Sequence, residues 1–104
     1  MRSLVATTVL AATAAAGSGA ERPIDAARLE RLVRHDCGSC HGMTLKGGLG
    51  TPLTPDALSH TDAGLLTGII LDGIPGTPMP PWRPLLSAAE ARWIANYLLE
   101  GGTE

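Results

Sequence analysis

The rhythm of apolar and polar positions changes several times along the chain. Leu4 to Ala16 is a charge-free, largely apolar run behind Arg2, closed by the small residues Ser18-Gly19-Ala20. A positive start, an apolar stretch and small residues ahead of a cut before Glu21 are the layout of a secretory leader. Residues 1–20 are therefore expected to be a signal peptide, with an N-terminal anchor as the alternative, and 21–104 to be one exported domain. From Pro23 the pattern becomes helical. Asp25 reads as an N-cap; Leu29, Leu32 and Val33 share one side, and Arg28, Glu30, Arg31 and Arg34 point outward. Glu30 and Arg34 form an i,i+4 pair. This helix is expected to run into Cys37–His41.

Residues 42–53 are glycine-rich and read as a loop closing on Pro52. Thr54 to Leu58 predicts a short helix, with Thr54 as cap and Pro55 in first position. Thr61 or Ser59 is expected to cap a further helix carrying Leu65, Leu66, Ile69, Ile70 and Leu71, stopped by Gly73. Apolar residues cover more than one of its faces, which predicts burial on two sides. Five prolines between Ile74 and Pro84 exclude helix interior and central strand. The last helix is the best marked. Ser87 and Glu90 form a capping-box pair, Ile94, Tyr97 and Leu98 make a stripe with Trp93 beside it, and Gly101 is the stop. Trp93 and Tyr97 are expected to pack on Leu29, Leu32 or Val33. No stretch alternates with period two, so the prediction is all-α, with well-formed first and last helices packed together and ordered loops between them.

Composition sharpens this picture. The chain has 104 residues; without the leader 84 remain, holding two Trp, one Tyr and no Phe. A chain that small buries only about 60–65% of its unfolded surface and often needs a cofactor or staple. The net charge is −2, with no basic stripe, which argues against nucleic acid as a partner. Apart from the leader, nothing approaches a membrane span.

The chemistry concentrates in Cys37-Gly38-Ser39-Cys40-His41. C-x-x-C-H is the attachment sequence for haem c. Two thiols one turn apart reach the two vinyl groups of one porphyrin, the adjacent imidazole points at the iron, and the small residues between them let the backbone lie close to the ring. Structural zinc would want four ligands, requiring His35 or His60 to join. A thioredoxin-like pair would need βαβ patterning, and a Cys37–Cys40 disulfide would close only a tiny loop. A copper carrier using Cys37, Cys40, His41, Met43 and Met79 is the more serious rival. Haem is favoured because a porphyrin would also supply the missing core.

Met79 is the expected sixth ligand, since a thioether opposite histidine raises the potential. Its flanking prolines stiffen the loop through oxidation and reduction. The competing reading is a gap-filling core methionine. Met43 is too close to His41 to reach the opposite side of the ring, and His60 is the alternative ligand. His35 reads as a surface residue. A carbonyl of the Gly50-Thr51-Pro52 turn, with Pro52 the first choice, is expected to accept the other ring N–H of His41. Trp82 and Arg83 are candidates for the propionates, against a packed indole and a solvated guanidinium.

CGSCHG, the loop ending TPLTPDAL, GTPMPPW and the final WIANYL together resemble class I monohaem cytochromes c over nearly all of 21–104. The stretch CHGMTLKGGLGTPLTPDAL is similar to the small cytochromes encoded with cd1-type nitrite reductase. The interval between Cys40 and Met79 is short for the wider family, so some of its helices must be abbreviated. The resemblance implies an all-α fold around one covalent haem c, with iron held by His41 and Met79, in a periplasmic carrier with no catalytic turnover of its own. It implies redox partner proteins, among them cd1-type nitrite reductase as electron acceptor. The alternative role is accessory, in maturation of haem d1. Docking should be brief, by a monomer, with Lys46 near the exposed edge.

Overall fold

The computed structural model describes residues 3–8 and 22–102; the expected cleavage point before Glu21 lies outside them. Among the described residues the architecture is all-helical, with no strand. The first helical segment comprises α1 (Ala26–Leu32), one π-helical stretch (Val33–Cys37) and α2 (Gly38–His41). Asp25 caps α1 as expected, its side chain accepting from the Arg28 N–H. The π-helical stretch was not legible in the sequence. It widens the turn just before the cysteine pair, and the Gly38 N–H reaches back to the Val33 carbonyl.

The glycine-rich loop folds back on the end of α2. The Gly47 N–H donates to the His41 carbonyl at 2.9 Å and the Gly50 N–H to the Cys40 carbonyl at 2.7 Å. Carbonyls that a helix end leaves unpaired are thereby satisfied. Leu45 lies inside this loop at φ 58° and is 1% exposed. Burying such a side chain contributes about 1.5–3 kcal/mol, enough to offset the cost of a left-handed backbone at a non-glycine residue.

The short helix expected over residues 54–58 is instead a series of hydrogen-bonded turns. Thr54 does act as a cap, accepting from the Ala57 N–H at 3.3 Å, and the Leu58 N–H reaches the Thr54 carbonyl at 3.0 Å. The next bonds, Ser59 N–H to Asp56 and Thr61 N–H to Leu58, are three-residue turns, so the α ladder does not propagate. Helix α3 (Ala63–Asp72) is capped by Asp62, not Thr61 or Ser59, with its carboxylate accepting from the Leu65 N–H at 2.8 Å. Gly73 ends it at φ 67°.

Helix α4 (Ala88–Leu99) has the expected capping box. Ser87 accepts from the Glu90 N–H, and the Glu90 carboxylate accepts from the Ser87 N–H. Gly101, at φ 73°, follows its end. α3 packs extensively on α4, and α1 makes a smaller contact with it. Leu29 and Val33 join Leu66, Ile70, Leu71, Ala91, Ile94 and Leu98 in one core. Trp93 and Tyr97 sit at its margin and stack on each other, ring centroids 4.9 Å apart.

Glu90 does more than cap. Its side chain is fully buried, and its carboxylate also takes Arg22 at 3.0 Å and Arg28 of α1. Arg28, expected to be simply outward, thus ties the first helix to the last. Among the described residues, no helix is long and apolar enough to cross a membrane.

Candidate functional site

The end of the π-helical stretch and α2 together present Cys37, Cys40 and His41 to a cavity of about 880 Å³. That volume is on the scale of a cofactor site, about 300–1,000 Å³. The walls are chiefly apolar: Leu66, Ile69 and Ile70 come from α3, and Ile94 and Leu98 from α4. The same two helices therefore close the core on one side and line the cavity on another, as the doubly apolar pattern of α3 anticipated.

Both cysteines are free thiols. Burial, helped by the neighbouring Asp36 carboxylate, pushes the Cys37 thiol up to about 11, so it is protonated at neutral pH. Among the described residues, no three His, Cys, Asp or Glu side chains gather around a point that would hold a bare metal ion. The donors instead line a space the size of a macrocycle.

The imidazole of His41 is fixed on one nitrogen. Nδ1 lies 2.6 Å from the Thr51 carbonyl. As a donor there, it leaves Nε2 as the atom that could ligate a metal. The turn expected to supply this carbonyl does so, but through Thr51; Pro52 itself lines the cavity. The ring is also held by close approach. A Cβ on Gly50 would sit 2.6 Å from the imidazole, so only glycine lets the turn pass.

Met79 lines the same cavity, carried by the proline-rich loop after α3. The base of that loop is pinned to α3: the Trp82 N–H donates to the Ile70 carbonyl at 3.1 Å and the Arg83 N–H to the Leu71 carbonyl at 3.0 Å. Gly73 is again obligatory, because a Cβ there would stand 2.6 Å from the Met79 carbonyl oxygen. Trp82 faces the cavity; Arg83 does not. Its guanidinium instead grips the Asp72 carboxylate through two bonds of 2.8 and 2.9 Å, which corrects its expected propionate role. Met43 is 63% exposed and lies outside the cavity lining, whereas His60 is part of it.

Sequence reasoning missed the rim. Leu49, Leu65 and Ile74 line the cavity while remaining exposed. Their apolar character was visible, but only the fold places them around one opening.

This cavity fits a porphyrin in three ways: paired thiols beside a tautomer-fixed imidazole, apolar walls, and a thioether in the lining. Comparison with known proteins agrees. The family profile described as cytochrome c oxidase, cbb3-type, subunit III matches residues 24–98. Cytochrome c55X of Paracoccus denitrificans (strain Pd 1222) is 57% identical over 99 residues, covering 92% of this chain and 91% of its own length. The solved structure of the c-type cytochrome NirC superposes with a TM-score of 0.74 at 49% identity, covering 77% of this chain and 98% of that one. Dihydro-heme d1 dehydrogenase NirN, solved in complex with DHE, gives a TM-score of 0.63 at 36% identity, over 67% of this chain but only 15% of that one.

Proposed function

The chain belongs to the cytochrome c family whose profile is that of cbb3-type oxidase subunit III, and from that premise we propose that it is a periplasmic carrier supplying electrons to nitrite reductase. Like cytochrome c55X and NirC it is a cytochrome c, an electron carrier with covalently bound haem c and not an enzyme, and its partners are redox proteins. Bound in this cavity, the haem iron supplies one-electron exchange between its ferric and ferrous states. We assign Cys37 and Cys40 to the two thioether links. Each thiol would add across one vinyl double bond, sulfur to one carbon and hydrogen to the other. His41, oriented by the Thr51 carbonyl, would hold the iron through Nε2, and Met79 would supply a second ligand. Pro52 and Trp82 line the cavity wall against which a porphyrin would pack.

The observation that carries this reading is the placement of Cys37, Cys40, His41 and Met79 in the lining of one apolar cavity. Thioether on one side and imidazole on the other stabilise the ferrous state and raise the potential.

Mass spectrometry of the exported protein tests the attachment. A mass equal to residues 21–104 plus one haem supports it, and a colourless chain of unmodified mass refutes it. A strain lacking the protein tests the role. Nitrite reductase that is complete but starved of electrons supports electron supply. The similarity to a dihydro-heme d1 dehydrogenase favours a second reading, service to haem d1 maturation. That reading requires the deleted strain to make nitrite reductase without its d1 group.

A further inference from the structure

Between Pro78 and Pro81 the backbone has a single N–H, that of Met79, because residues 78, 80 and 81 are all proline. The Met79 N–H donates to the Thr77 hydroxyl oxygen at 3.3 Å. That hydroxyl in turn donates to the Ile74 carbonyl at 2.7 Å. The Thr77 N–H reaches the same carbonyl at 3.1 Å, and the Ile74 N–H donates to the Met79 carbonyl at 3.3 Å. Residues 74–79 are thus a closed ring of hydrogen bonds. Thr77 Oγ1 is the one side-chain atom in it, both donor and acceptor. Gly73 lies close against this ring from the helix side: a Cβ there would stand 2.6 Å from the Met79 carbonyl oxygen.

We propose that Thr77 is a positioning residue: its hydroxyl sets the backbone of Met79 and so holds the thioether toward the iron. The inference rests on the reading of Met79 as axial ligand. Proline fixes φ on both sides of Met79, but fixing φ leaves ψ and the placement of the loop tip open. The hydroxyl supplies the missing constraint from within the loop. An opening that unfolds the loop breaks this bond, so its loss shifts the balance toward the open form.

The test is imidazole binding to the ferric holoprotein, which requires Met79 to leave. Losing a net hydrogen bond of ordinary strength is worth roughly a fivefold change in that equilibrium. Thr77→Val keeps the shape and removes the hydroxyl, so imidazole should bind roughly fivefold more tightly. The weak red sulfur-to-iron charge-transfer band should also fall. Thr77→Ser restores the hydroxyl and should return affinity to within about twofold of the parent. Unchanged affinity in Thr77→Val overturns the proposal, as does a Thr77→Ser variant disturbed as much as Thr77→Val. Met79→Ala separates the two levels. If it leaves imidazole affinity and the red band unchanged, the axial assignment fails and takes the Thr77 role with it. If it alters both while Thr77→Val does not, only the Thr77 role is lost.

Discussion

Replacing Glu90 by alanine should be among the most damaging substitutions outside the cavity. The side chain is fully buried, and its carboxylate accepts from the Ser87 N–H at 2.9 Å, from Arg22 at 3.0 Å and from Arg28. Three losses follow. The first turn of α4 loses half of its capping box, worth about 1 kcal/mol. A buried volume is left unfilled. Arg28 and Arg22 lose their partner, and breaking a buried pair costs about 3–5 kcal/mol. That last figure must be discounted, because the arginine side chains are 35% and 60% exposed and water can reclaim them. The sum is about 3 kcal/mol, a fall in Tm of roughly 12–24 °C for a domain of this size. Thermal unfolding of the ferric holoprotein by far-ultraviolet circular dichroism measures it. A cycle with Arg28→Met isolates the pair: Glu90→Ala should cost at least about 1 kcal/mol less in the Arg28→Met background than in the parent. A loss below about 1 kcal/mol, or strict additivity, would refute the tie between first and last helices.

Other substitutions probe the loops. Gly50→Ala drives a methyl into the His41 ring at 2.6 Å; it should destabilise by about 1–3 kcal/mol and lower the fraction of exported chain that carries haem, read by absorbance per protein mass. Gly73→Ala combines a positive φ with a clash against the Met79 carbonyl oxygen. It should cost more than about 1 kcal/mol and open the iron to carbon monoxide in the reduced protein. The Arg83 guanidinium holds the Asp72 carboxyl below its usual range. A depressed folded-state value stabilises above the unfolded value of 3.8 and loses that effect as pH falls through the lower folded value. The Tm difference between the parent and Asp72→Asn should therefore be constant near neutrality and close in acid; a gap that widens below pH 3.8 contradicts the pairing.

What could be read from the residues alone was what depends on neighbours in the chain. The attachment motif, the Asp25 cap, the Ser87–Glu90 box and the Gly73 stop are all local signals, and each lies where it was expected. The α3 cap fell at Asp62 rather than at Thr61 or Ser59 because all three are competent, and the registry of the turns decides among them. Thr51 replaced Pro52 as the His41 partner because the direction of a carbonyl depends on ψ, which composition does not fix. Arg83 was drawn from the cavity by Asp72, eleven residues away, and Glu90 meets Arg22 and Arg28 across 68 and 62 residues. Contacts at such separations leave no trace in periodicity. Leu45 was hidden for the opposite reason: its loop signature spoke for exposure, and only the packed structure reveals it as a plug.

The two sides of the cavity differ in how far the chain must travel to build them. His41 finds its orienting carbonyl ten residues away, through a loop stitched by its own amides. Met79 waits on α3, the turn at Gly73 and the ring of bonds from Ile74. Closing the longer excursion costs more chain entropy and relies on contacts that form later. The His41 side thus rests on contacts local in the chain, and the Met79 side on contacts that must be closed over a longer stretch.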